Sequence, residues 1–232
     1  MRLLTPGERD RHPPANLAER AWNAFWERVL ALSPPAAWQH RFMRHMREYL
    51  HSAISWQARV RRDRSAPDLL TYIEHRRDNG VMRVESDLIE LAYGVWPPED
   101  FLDSRIARLL QHVANDVVCV CNDIYSYDKE MARDDFSNGV FVYRQLLQCS
   151  VQEAVDGLGE LLASRIRDFE QTQEELPAFF AAQAYREEER FAILRYVDGL
   201  ASWISGFPLW SRHSRRYSEV EYEPAPGAQA IS

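Results

Sequence analysis

"LLQHVANDVVCVCNDIYSYDKE", residues Leu109 to Glu130, is the stretch from which the fold can be read. Up to Cys121 it is a long apolar run, which places the segment inside a protein. From Asn122 onward it puts an amide, a hydroxyl and a carboxylate into the same helix. Each residue of an α-helix turns by about 100°, so Asn122, Ser126 and Glu130 lie at about 0°, 40° and 80° around the axis. They share one face over roughly 12 Å of rise, with Lys129 about 20° to the other side of Asn122. Asp123 and Asp128 point elsewhere. The shared face offers hard oxygens with a single negative charge and one ammonium beside them. That set suits Mg²⁺ when another anion, such as a phosphate, completes the shell. From spacing alone, a solvent-exposed helix end with routine polar residues reads equally well.

Outward from this stretch the chain keeps helical spacing. "NLAERAWNAFWERVLAL" (Asn16 to Leu32) has apolar residues at Leu17, Ala21, Trp22, Phe25, Trp26 and Val29, with Asn16 as N-cap and "SPP" at 33–35 as its end. Pro35 suits the first turn of a second helix through "AAWQHRFMRHMREYLHSAISWQARVRR". A third starts at "SAPDLLTYIEHRR", with Ser65 as cap. Gly80 interrupts it, and "VESDLIELAYGV" resumes it as far as "WPPED". A long helix is expected from about Asp100 to Arg133, then "DDFSNG" as a loop. Two more helices follow, from about Ser150 to Glu175 and from about Ala178 to Ile204. The tail after Tyr217 reads as disordered. With no strand pairs, repeats or low-complexity linkers, the expected fold is all-α, a bundle of long helices around a central space.

Bulk composition agrees. The chain has 232 residues, 46% hydrophobic and 27% charged, enough for one domain with a real core. A net charge of −7 speaks against a nucleic-acid partner, and the basic runs "RVRRDR" and "RHSRRY" are short. No apolar run is long enough for a membrane span, and the start turns charged and proline-containing at once. Three cysteines without zinc-ligand spacing read as reduced core residues of a cytoplasmic protein.

"NDIYSYDKE" resembles the metal-binding NSE motif of bacterial class I terpene synthases, filling each of its fixed positions. "YIEHRRDNG" resembles that family's diphosphate-sensing segment, and "YVDGLASWISGFPLWSRHSRRY" its C-terminal segment. The resemblance runs from about Leu17 to Ser218 and implies the class I terpenoid synthase helical bundle over residues 1–218. It implies Asn122, Ser126 and Glu130 as ligands of one Mg²⁺, Arg76 as diphosphate sensor and Lys129 as a second diphosphate donor. Arg216 and Tyr217 become the pair that closes on the diphosphate. Arg76 is preferred over Arg77 because it stands four residues before Gly80. Arg77 and Arg215 then read as surface arginines. Gly80 would offer a helix-break carbonyl towards positive charge, with Asn79 as linker. Trp203 would form an aromatic wall of the pocket, whereas Trp56, Trp96 and Trp210 read as packing residues.

The reaction so implied is ionisation of a prenyl diphosphate, farnesyl diphosphate being the expected substrate, to a cyclic sesquiterpene plus diphosphate: a carbon–oxygen lyase. The resemblance also allows for a homodimer. One motif of the family is missing from the chain: no aspartate-rich segment precedes Arg76. The expectation is therefore a C-terminal portion lacking the early helices and unable to cyclise farnesyl diphosphate by itself. The alternative is a degenerate, non-catalytic helical protein that binds diphosphate or a protein partner. A chance resemblance in an unrelated helical interaction module would be a third reading.

Overall fold

The computed structural model describes residues 14–63, 67–133 and 135–217, and among them every regular element is helical. Helix α1 (Leu17–Ala31) opens as expected: the Asn16 side chain accepts from the Glu19 amide at 2.9 Å. Its buried face, Trp26 and Val29, meets α2 (Ala36–Asp63) through a stack of rings. Trp38 and Phe42 lie 4.9 Å apart between centroids, and Trp26 packs on Phe42 at 5.8 Å. Trp96 meets Trp38 edge-on at 6.1 Å, and Trp56 stacks on His75 at 4.1 Å, so both are packing residues.

Helix α3 (Leu69–Asn79) is capped by Asp68, whose carboxylate accepts from the Thr71 amide at 2.9 Å. The expected cap, Ser65, lies outside the described residues, as does the tail after Tyr217. The chain breaks at Gly80–Val81 and resumes as α4 (Met82–Tyr93). Gly80 has an ordinary φ of −82°; the left-handed residue is Val81, with φ 63°. A β-branched residue held there costs of order 1–3 kcal/mol, which the surrounding packing must over-determine. Gly80 is needed for space instead. A Cβ on it would collide with Cys119 Sγ and lie 2.7 Å from the Arg76 carbonyl. Helices α2 and α4 are locked by buried Arg41, which donates to Glu90 at 2.6 Å, to Asp87 at 3.1 Å and to Glu99.

The expected long helix is two. A short α5 (Glu99–Leu102) turns at Asp103, and Ser104 caps α6 (Arg105–Met131) through the Ala107 amide at 3.1 Å. Burial of Leu110, Val113, Ala114, Val117 and Val118 makes α6 the central rod, with α3, α4, α8 and α10 packed around it. The loop after it ends in α7 (Gly139–Leu147), a helix the sequence reading left out. Its Val, Phe, Val, Tyr run has low helix propensity, and burial of Val140 and Val142 under an Asn138 cap overrides that. Helix α8 (Val151–Glu174) starts on a Ser150–Glu153 capping box, and α9 (Leu176–Ala182) follows it. The last helix, α10 (Glu187–His213), starts nine residues later than the sequence suggests and runs on through Pro208. A 3₁₀ turn, Arg215–Tyr217, completes the described chain. No helix among the described residues is long and apolar enough to cross a membrane.

Candidate active site

The break between α3 and α4, the middle of α6 and the end of α10 enclose a cavity of about 740 Å³. Its body is aromatic and apolar: Tyr49, Val81, Val118, Trp203, Phe207 and Trp210. Trp203 packs with Phe207 against Met82, Val118 and Cys119. Trp210, read from sequence as a packing residue, lines the cavity with half its surface exposed. It sits there because α10 continues past Pro208 and carries it beside Tyr217, at 6.1 Å between ring centroids.

The rim is polar and is organised by α6. Asn122 faces the cavity; its Oδ1 accepts from Arg76 Nη2 at 3.0 Å and its Nδ2 donates to the Tyr217 hydroxyl at 2.6 Å. Three segments far apart in sequence thus meet on one amide. Arg76 is held a second time by Asp123, whose Oδ1 accepts from Nε at 3.2 Å and Nη2 at 3.0 Å. Burial disfavours the Arg76 charge, but Asp123, together with Cys119 and Tyr72, outweighs it and holds the guanidinium well above its ordinary range. Asp123 is fully buried and also accepts from the Tyr72 hydroxyl and, at 3.1 Å, from the Gly139 amide. Asn79 Oδ1 lies 3.4 Å from Arg76 Nη1. Arg216 also lines the rim, with its guanidinium 5.7 Å from the Tyr217 ring.

The remaining residues of the motif continue along α6, past the cavity lining. Ser126 is buried and donates to the Asn122 carbonyl at 2.8 Å, which leaves its oxygen lone pairs available. Glu130 is half-buried, accepts from Asn138 Nδ2 at 2.8 Å, and burial raises its carboxyl above the usual range. An amide, a hydroxyl and a partly desolvated carboxylate along one helix face fit a hard divalent cation, which would relieve that desolvation. Lys129 is exposed and does not line the cavity, so the structure does not bring it to the rim.

Arg77 corrects the surface reading given to it. It forms a bidentate pair with Asp116 at 2.7 and 2.6 Å, and Arg165 closes on the same carboxylate at 2.7 Å. Sequence reasoning also missed Asn138 and Asp123. Asn138 caps α7 and ties it to α6 by donating to the Asp123 carbonyl at 2.8 Å. An asparagine just before an apolar run is a cap signal, so this position was readable. Asp123 was not, because its partners come from α3 and α7.

Comparison with known proteins identifies the family of this helical bundle. The family model "Terpene synthase family 2, C-terminal metal binding" matches residues 1–168. Sesquiterpene synthase Agr3 of Cyclocybe aegerita is 35% identical over 193 residues, 83% of this chain and 52% of that protein. The (+)-T-muurolol synthase of Roseiflexus castenholzii is 35% identical over 191 residues, 82% of this chain and 56% of that protein. The crystal structure of linalool/nerolidol synthase from Streptomyces clavuligerus shares the fold. It has a TM-score of 0.78 at 23% identity over 88% of this chain and 68% of that one. The chain belongs to the terpene synthase family. It spans about half the length of the curated relatives it matches, and those relatives are both fungal and bacterial.

Proposed function

We propose that the chain carries the metal-binding side of a terpene cyclase active site, which ionises farnesyl diphosphate and closes it to a cyclic sesquiterpene. One observation carries this reading: the Arg76–Asn122–Tyr217 network stands at the mouth of an aromatic cavity of about 740 Å³. The names of the relatives, which are sesquiterpene synthases or cyclise farnesyl diphosphate, support the substrate.

In this reading the diphosphate lies at the rim. Arg76, Arg216 and the Tyr217 hydroxyl donate to its oxygens, and these charge-assisted bonds strengthen as the leaving group gains charge. Asn122, Ser126 and Glu130 would hold a Mg²⁺ ion. When bound, that ion supplies Lewis-acid neutralisation of the departing diphosphate. Lys129 serves as a second donor only after its side chain turns inward. The C–O bond breaks with its electron pair on the diphosphate oxygen, and the hydrocarbon keeps the positive charge. Asn79 steadies Arg76, and the break at Gly80 directs backbone carbonyl dipoles towards that charge. Trp203 and the rings beside it face the cation without reacting with it and keep water away.

Calorimetric titration of the chain with inorganic diphosphate tests the reading. Saturable uptake that requires Mg²⁺ is expected. Equal uptake with and without Mg²⁺ would remove the metal-bridged rim.

A further inference from the structure

Glu85 is the acidic side chain that the site described so far does not use. It stands on α4, one turn past the left-handed Val81, and lines the main cavity beside Trp203, Ser202 and Tyr49. It also lines an adjoining recess of about 290 Å³ with Leu88, Ile89 and Tyr93, so it sits where the cavity extends away from the rim. The other carboxylates inside this fold are matched. Asp87 and Glu90 hold Arg41, Asp116 holds Arg77 and Arg165, Asp123 holds Arg76, and Glu130 accepts from Asn138. Among the described residues the Glu85 carboxylate has no hydrogen-bond or ion-pair partner, and the residue is half-buried. Burial alone pushes its carboxyl above the usual range.

Folding does not account for this placement. A carboxylate in the first turn of a helix gains from the helix dipole, but an outward-facing side chain would gain as much and stay hydrated. An unpaired carboxylate in a partly apolar cavity is a cost, and a cation arriving in that cavity would offset it. The cavity is polarised to receive one. Arg76 and Arg216 line it together with aromatic faces, and Glu85 is the carboxylate in that lining. In low dielectric such a charge acts strongly on a cation that moves along the hydrocarbon body away from the diphosphate.

We propose that Glu85 is a catalytic residue that stabilises the hydrocarbon cation beside Trp203 in the cavity and accepts the proton that ends the reaction. In that step the C–H bond next to the cationic carbon breaks and its electron pair forms a C=C bond. The proton passes to a Glu85 carboxylate oxygen, and from there to water as the product leaves. The role rests on the cyclase reading above.

The test uses the 232-residue chain loaded with Mg²⁺ and inorganic diphosphate. It is titrated with a trialkylammonium analogue of the prenyl cation and with the neutral carbon isostere of that analogue. Glu85→Gln is expected to weaken ammonium binding about tenfold or more and to leave the neutral isostere within about twofold. Glu85→Asp, which keeps the charge, should retain the preference for the cation. Equal ammonium affinity in Glu85→Gln and wild type would overturn the proposal, as would a wild type that does not prefer the cation. Either result alongside normal Mg²⁺-dependent diphosphate uptake sinks Glu85 alone. Absence of that uptake sinks the cyclase reading itself.

Discussion

The Asn122 amide and the Tyr217 hydroxyl are joined by a 2.6 Å hydrogen bond that spans 95 residues of sequence and pins the C-terminal 3₁₀ turn to the central helix. The same amide accepts from Arg76 at 3.0 Å. A cation taken up by Asn122 Oδ1 would share that oxygen with the Arg76 guanidinium, so metal binding, Arg76 and the C-terminal turn meet at one side chain.

Asn122→Leu should abolish Mg²⁺-dependent diphosphate uptake and also release the turn. Hydrogen exchange at residues 215–217 would rise while helix content by circular dichroism stays unchanged. Unaltered exchange there would mean that Trp210 and Tyr125, the rings that flank Tyr217, hold the turn without Asn122.

Glu130→Gln keeps the shape of the side chain and its acceptor for Asn138, and removes the only charge of the three-ligand set. The midpoint of Mg²⁺ dependence in diphosphate titrations should move to higher concentration by about tenfold or more. A midpoint unchanged from wild type would exclude Glu130 as a ligand.

The neighbouring arginines should separate cleanly. Arg76→Gln and Arg216→Gln should weaken diphosphate binding by about 1–3 kcal/mol each, the scale of a lost charge-assisted hydrogen bond. Arg77→Gln should leave that affinity alone and lower thermal stability instead, by about 1–3 kcal/mol, because Asp116 loses a bidentate partner. The opposite pattern would exchange their roles.

Gly80→Ala should destabilise the chain by about 1–3 kcal/mol, the usual cost of overpacking. For a domain of this size each kcal/mol lowers the melting temperature by about 2–4 °C. Cys119→Ala in the same chain removes the sulfur that the new methyl would meet and should restore part of the loss. Additive effects of the two substitutions would show that the Arg76 carbonyl, rather than the sulfur of Cys119, limits this position.

Much of this protein was legible in its residues because the signals are local. Helical spacing of apolar residues, Asn16 as a cap, and the four-residue rhythm of Asn122, Ser126 and Glu130 depend only on local backbone geometry, and they pointed to an all-α bundle with a polar stripe on its central helix. Tertiary structure decided what required distant partners. Burial made a helix of the β-branched run at α7, and α10 continued through Pro208 to bring Trp210 into the cavity. Arg77 turned from surface to a part-buried pair because Asp116 stands across from it, and Asp123 became the anchor of Arg76. Glu85 resembles any first-turn glutamate in the sequence, and only the packing of α2, α4 and α10 around it leaves its charge facing a cavity. A side chain's local position follows from backbone periodicity, whereas its desolvation and its partners are set by the elements that fold against it.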